Sequence, residues 1–172
     1  MRIAQIAPPW ISIPPETYGG TESIISFIVE ELVTQGHDVT LFAPGDARTS
    51  AKLVSFYPQS LTSQGTPWQA HLKAYYHLHK SLERAGDFDV VHTHLSSTAD
   101  MYIFPLLDSI ATPHVTTLHS NFPFDWIGDR TGGADDLFME WIRPAPAVTV
   151  SERARANLPH GLNIVGVVHL GV

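Results

Sequence analysis

From residue 21 to residue 35 the apolar side chains fall at Ile24, Ile25, Ile28, Val29, Leu32 and Val33, a helical spacing that predicts an amphipathic helix ended by Gly36. Upstream, residues 2–7 alternate loosely and are stopped by Pro8 and Pro9, so they read as a first buried strand, followed by a proline-rich loop to Tyr18. Residues 39–43 form a second strand after a very short turn. A strand, a helix and a strand within about forty residues make a βαβ unit and imply a parallel sheet. The alternation continues: a strand at 53–57, a helix at 67–85 with proline in its first turn, and a strand at 90–93. A helix at 98–110 interrupted at Pro105 comes next, then a strand at 114–118. An irregular loop at 121–133 carries Phe122, Phe124 and Trp126. Beyond it the pattern predicts a helix at 135–142, extended chain at 147–150, a short helix at 152–158 and a last strand at 164–168. The expected architecture is a single α/β domain over 1–172, a Rossmann-like doubly wound parallel sheet. In such sheets ligands bind at the carboxyl ends of the strands, so the loops after Ala7, Thr93 and Leu118 share one candidate rim.

Composition narrows the function classes. Hydrophobic residues make up 44% and charged residues 16% of the 172, a globular balance without an apolar run of membrane-spanning length. Ten Lys plus Arg against seventeen Asp plus Glu give a net charge of -7, which argues against nucleic acid as a partner. The basic residues are scattered, so a peripheral membrane surface is not indicated. The absence of cysteine excludes disulfides and thiolate metal sites, and the first residues do not form a signal peptide, so a cytoplasmic location is the expectation.

Several residues on the predicted rim have useful chemistry. Gly19, Gly20 and Thr21, followed by Glu22, open the strongest helix; there a phosphate can meet backbone N–H groups and the positive end of the helix dipole. A plain glycine turn with Thr21 or Gly20 as cap accounts for the same spacing equally well. Neither G-x-G-x-x-G nor G-x-x-x-x-G-K-[ST] is present. His92 and His94, two apart on a strand, point to one face; they suit a zinc pair, or more simply one packed and one hydrogen-bonded imidazole. His77 and His79 diverge by about 200° on a helix and read as surface residues. His119 closes a strand and can both donate to and accept from a sugar hydroxyl, and a capping or loop-bracing histidine accounts for the same position. Glu22 and Glu30 share an E-x7-E spacing to which no weight attaches, since Glu22 is explained as a first-turn carboxylate.

Taken in order, MRIAQIAPP, ETYGGTE, GHDVTLFAPG, DVVHTH, VTTLHSN, VTVSERARANL and VVHLGV resemble the GT-B retaining glycosyltransferases of family 4, a likeness that spans the whole chain. The resemblance implies a hexosyltransferase-type enzyme (EC 2.4) of two Rossmann-like domains, this being the N-terminal, acceptor-side one, with a C-terminal donor-binding domain as its partner. It implies transfer from a nucleoside-diphosphate sugar, as co-substrate, to a carbohydrate or small-molecule acceptor with retention at the anomeric carbon, and neither a metal nor a further cofactor. On this likeness Gly19, Gly20 and Thr21 approach the donor diphosphate, and His119 is the catalytic-site histidine that contacts the transferring sugar. His94, Glu22, Asn121, Trp10, Ser151 and Arg153 are the implied sugar or acceptor contacts, with Trp10 or Trp126 stacking on a sugar face. The family's paired glutamates and its diphosphate-neutralising basic residues belong after Val172, so the fragment alone is expected to be inactive. Leu170-Gly171-Val172 stands where the family often has Asn-Gly-Val. The competing expectations are a non-catalytic α/β module for a phosphate-bearing ligand and, third, a metal-dependent hydrolase.

Overall fold

A computed structural model describes residues 1–97, 100–120 and 135–170. Among the described residues seven parallel strands form one sheet in the order β3-β2-β1-β4-β5-β6-β7. They are β1 Arg2–Ile6, β2 Asp38–Phe42, β3 Lys52–Val54, β4 Val90–Leu95, β5 His114–Leu118, β6 Ala147–Thr149 and β7 Ile164–Val167. The connecting helices are α1 Gly20–Thr34, α2 His71–Leu82, α3 Ile103–Leu107, α4 Asp135–Ile142 and α5 Glu152–Ala156. The doubly wound α/β class is the one the sequence predicts. The strand order reverses at β1, between β2 and β4, which sets a topological switch point at the carboxyl ends of β1 and β4.

Period-two alternation divides the core between the two faces of the sheet. Val39 and Leu41 of β2, with Ala7, pack under Ile25 and Val29 of α1. Ala4, Ile6, Phe42, Val91, Leu95 and Leu118 turn the other way, against Leu78 of α2, Phe104 and Leu107 of α3 and Ile142 of α4. On the α1 face the pleat changes character along the sheet. The register pairs Gln5 with His92 and His94 with Thr117, so β1, β4 and β5 carry polar residues there.

Several boundaries differ from the pattern-based expectation, each for a local reason. β3 ends at Val54 rather than 57 because the Ser55 hydroxyl closes a local turn, accepting from Tyr57 N at 3.2 Å. α2 starts at His71, not at Pro67: Pro67 opens a turn closed by Ala70 N, and Trp68 folds back to stack on Trp10 with ring centroids 4.7 Å apart. α3 covers only Ile103–Leu107; Pro105 lies in its first turn, where no intrahelical N–H is needed, instead of interrupting a longer helix. β4 runs on to Leu95 because β5 offers partners as far as Leu118. The loop at 121–133, with Asn121 and Trp126, lies outside the described residues, as do Gly171 and Val172.

His77 corrects the expectation of a surface residue. It shares a face with Ala74, Leu78 and Ser81, is fully buried, and its Nε2 lies 3.0 Å from the Ala7 carbonyl oxygen. The ring thereby bolts α2 to the chain leaving β1. His79, turned away from it, is exposed.

Candidate functional site

At the switch point lies a cleft of about 920 Å³. It is lined by the loop after β1, the first two turns of α1, Trp68 from the turn ahead of α2, the β4 exit at Ser96 and Ser97, the β5 exit at His119 and Ser120, and Leu170 after β7. The topology thus brings Gly19, Gly20, Thr21, Glu22, Trp10 and His119 to one cavity. Ser151 and Arg153 are not in its wall. Ser151 instead caps α5, accepting from Ala154 N at 3.1 Å, and Arg153 is exposed.

The helix mouth is built without a side-chain cap. Gly19 is the N-cap of α1, with φ +157°, and as a glycine it offers the first turn no side-chain cap. Of the two glycines only Gly19 is sterically required: a Cβ there would meet Glu22 Oε2 and Pro15 Cβ, each at 2.8 Å. At Gly20 a Cβ would meet nothing within 4 Å. The turn therefore serves backbone packing at Gly19, while Gly20 stands open on the cleft. Glu22 is buried behind this turn, and that burial, with the charge of Asp100 nearby, raises its pKa above the usual carboxylate value.

Three imidazoles cluster on β4 and at the exit of β5, and of these only His119 lines the cleft. His94 is 2% exposed; its Nδ1 lies 2.9 Å from His119 Nε2 and its Nε2 lies 2.9 Å from Gln5 Oε1. His92 packs against His94, with centroids 4.2 Å apart, and its Nε2 is 2.7 Å from Thr117 Oγ1. Burial makes each ring hard to protonate: His92 and His119 are held down to about 4, and His94 lies well below the usual imidazole value. At neutral pH the cluster is uncharged. Both nitrogens of His94 are spent on protein partners, so it has no lone pair to give a metal, and the His92–His94 zinc reading loses one of its two ligands.

Asp100 and Trp68 are among the site residues that escape sequence reasoning. Asp100 is wholly buried, and its Oδ2 accepts from the N–H and hydroxyl groups of both Ser96 and Ser97 at 2.9–3.2 Å, holding the β4 exit loop in shape. Burial nonetheless pushes its pKa up to about 6. The spacing Ser96-Ser97-x-x-Asp100 is the signal that could have pointed to this local turn. Trp10, 1% exposed, has Trp68 stacked on it, and the half-exposed Trp68 ring stands at the cleft.

A cleft at the switch point of a parallel α/β sheet, lined by an open helix mouth and by His119, defines a Rossmann-like α/β domain. The family model described as Glycosyltransferase Family 4 matches residues 18–172, and the chain belongs to that family, whose chemistry is glycosyl transfer. No curated protein matches the chain. Among the described residues no helix is long and apolar enough to cross a membrane.

Proposed function

We propose that this chain is the acceptor-side domain of a retaining, metal-independent glycosyltransferase of the GT-B kind, which takes its sugar from a nucleoside diphosphate. The observation that carries this reading is the joint position of the uncapped α1 mouth and His119 on one cleft, in a chain that matches the family over 18–172. The donor's diphosphate lies against the N–H groups at Gly20 and Thr21, where the helix dipole offsets charge that builds on the leaving group. His119 hydrogen-bonds a hydroxyl of the sugar in transit. Trp68, Tyr18 and Phe27, exposed at the cleft, form an aromatic wall for the acceptor. A second, donor-binding domain closes over this rim, excludes water and brings the remaining diphosphate contacts.

The test is to assay the protein encoded by the complete reading frame against uridine, guanosine and adenosine diphosphate sugars, with and without chelator. Release of a nucleoside diphosphate, undiminished by chelator and with the donor's anomeric configuration kept in the product, is the expected result. Absence of release from every donor, or inversion, overturns the reading. Residues 1–172 alone are expected to give no turnover.

Gly20→Ala probes the diphosphate contact directly. The new methyl clashes with no protein atom, and alanine stabilises a helix by roughly 0.5–1 kcal/mol over glycine, so the thermal midpoint should hold or rise. The KM for the donor should rise about tenfold, since a methyl then stands between backbone and phosphate. An unchanged KM removes Gly20 from the donor site. Gly19→Ala should instead lower stability by about 1–3 kcal/mol through its two 2.8 Å overlaps.

A further inference from the structure

Gln5 is an anomaly in β1. Its neighbours Ile3, Ala4, Ile6 and Ala7 are buried and apolar, yet Gln5 is itself 1% exposed on the central strand. A buried amide costs a few kcal/mol unless it is hydrogen-bonded. The carbonyl oxygen of this one is spent on His94, itself buried, and His94 is spent in turn on His119 at the cleft wall. The three side chains form a line from the middle of the sheet to the cavity. The opposite face of the same strands shows that packing does not require such a line, because there Ala4, Ile6, Val91 and Leu95 fill the equivalent space.

The line has a direction. Gln5 Oε1 can only accept, so His94 Nε2 carries the proton that it donates to Gln5. A neutral imidazole has one N–H, which leaves His94 Nδ1 as an acceptor, and the proton shared with His119 must then sit on His119 Nε2. His119 is left with an unprotonated Nδ1 as its remaining polar atom. Burial keeps both rings neutral near pH 7, the condition under which a single tautomer is defined. Were Gln5 to present its amide N–H₂ instead, every step would reverse and His119 would offer a donor at the cleft.

We propose that Gln5, acting through His94, is a positioning residue that fixes the tautomer of His119, so that the cleft receives a hydrogen-bond acceptor, Nδ1, matched to a sugar hydroxyl proton. This rests on the reading of His119 as the sugar contact. A hydroxyl that donates to Nδ1 gains electron density on its oxygen and is held in a single orientation, so the relay contributes orientation as well as binding.

The experiment is long-range proton–nitrogen correlation on the imidazoles of the ¹⁵N-labelled chain near pH 7. His94 and His119 should both show the Nε2–H pattern, and Gln5→Met, which removes the acceptor, should give averaged tautomer shifts at His119. In the complete enzyme Gln5→Met should lower kcat about tenfold with the donor KM nearly unchanged, by analogy with partners that orient a functional histidine. An Nδ1–H tautomer at His119 in the unaltered chain overturns the proposal, as does a Gln5→Met variant whose tautomer and kcat are both unchanged. The spectrum of the unaltered chain decides even if Gln5→Met fails to fold. If His119→Ala leaves transfer intact, the sugar-contact reading fails, while the spectrum still reports on the relay separately.

Discussion

His119→Ala in the complete enzyme should reduce kcat/KM by about 10²–10³, with most of the loss in kcat. The ring lines the cleft at the β5 exit and its Nε2 is committed to His94, so in the proposed reading Nδ1 is the atom that meets the sugar hydroxyl. Removing one hydrogen bond that strengthens as charge develops on the reacting sugar typically costs roughly 2.7–4 kcal/mol, which corresponds to that factor. The substitution also leaves His94 Nδ1 without its partner in a buried position, at a cost of about 1–3 kcal/mol in stability. Thermal unfolding must therefore be measured beside activity. A variant that is folded at the assay temperature and still turns over at the unaltered rate excludes His119 from the reaction. His119→Asn keeps a polar group at the β5 exit but not the imidazole; it should recover part of the stability and little of the rate.

The sheet was legible because its signals are local. Residues 114–118 and 135–142 stand where the pattern places them, each bounded by turn residues and carrying one clear period. The rim was legible by the same logic, since a residue that closes a parallel strand must lie at its carboxyl end, and His119 does. What the pattern hides is decided by distant partners. Nothing near His77 in sequence announces that Ala7, seventy residues away, will offer it a carbonyl oxygen. Gln5 and His94 are eighty-nine residues apart, and their bond exists only because β4 pairs with β1. Trp10 looked like a sugar platform because its loop leads to the cleft, but Trp68, from the turn ahead of α2, stacks on it. Asp100 lies between these cases. Its serine partners are three and four residues away, yet its burial comes from the tertiary fold.

Acidification should destabilise this domain steeply between pH 6.5 and about 4, before most exposed carboxylates titrate. Four imidazoles are responsible: His77 and the His92, His94 and His119 cluster, all with pKa values lowered by burial in the fold. In the unfolded chain each takes a proton near 6.5. A group whose folded pKa is depressed binds more protons when unfolded, so stability rises with pH across the interval, is complete above 6.5, and is lost on descending towards 4. For His77, buried in the core and held down to about 4, the full loss is on the order of 3 kcal/mol. The three clustered rings share their repulsion and do not add independently. Asp100 and Glu22 work in the opposite sense. Their raised folded values favour proton uptake by the native state as pH falls, and Asp100, at about 6, offsets roughly one imidazole. The net slope remains that of several protons. Denaturant melts at a series of pH values from about 7 to 4 read it directly. His77→Leu isolates one contribution: it should cost about 1–3 kcal/mol near pH 7, because the Ala7 carbonyl loses its donor, and should flatten the slope by about one proton. Stability that stays level from pH 7 to 5, or a His77→Leu variant with the full slope, would show that these rings take up protons in the folded state and that their burial is not what sets the acid limit.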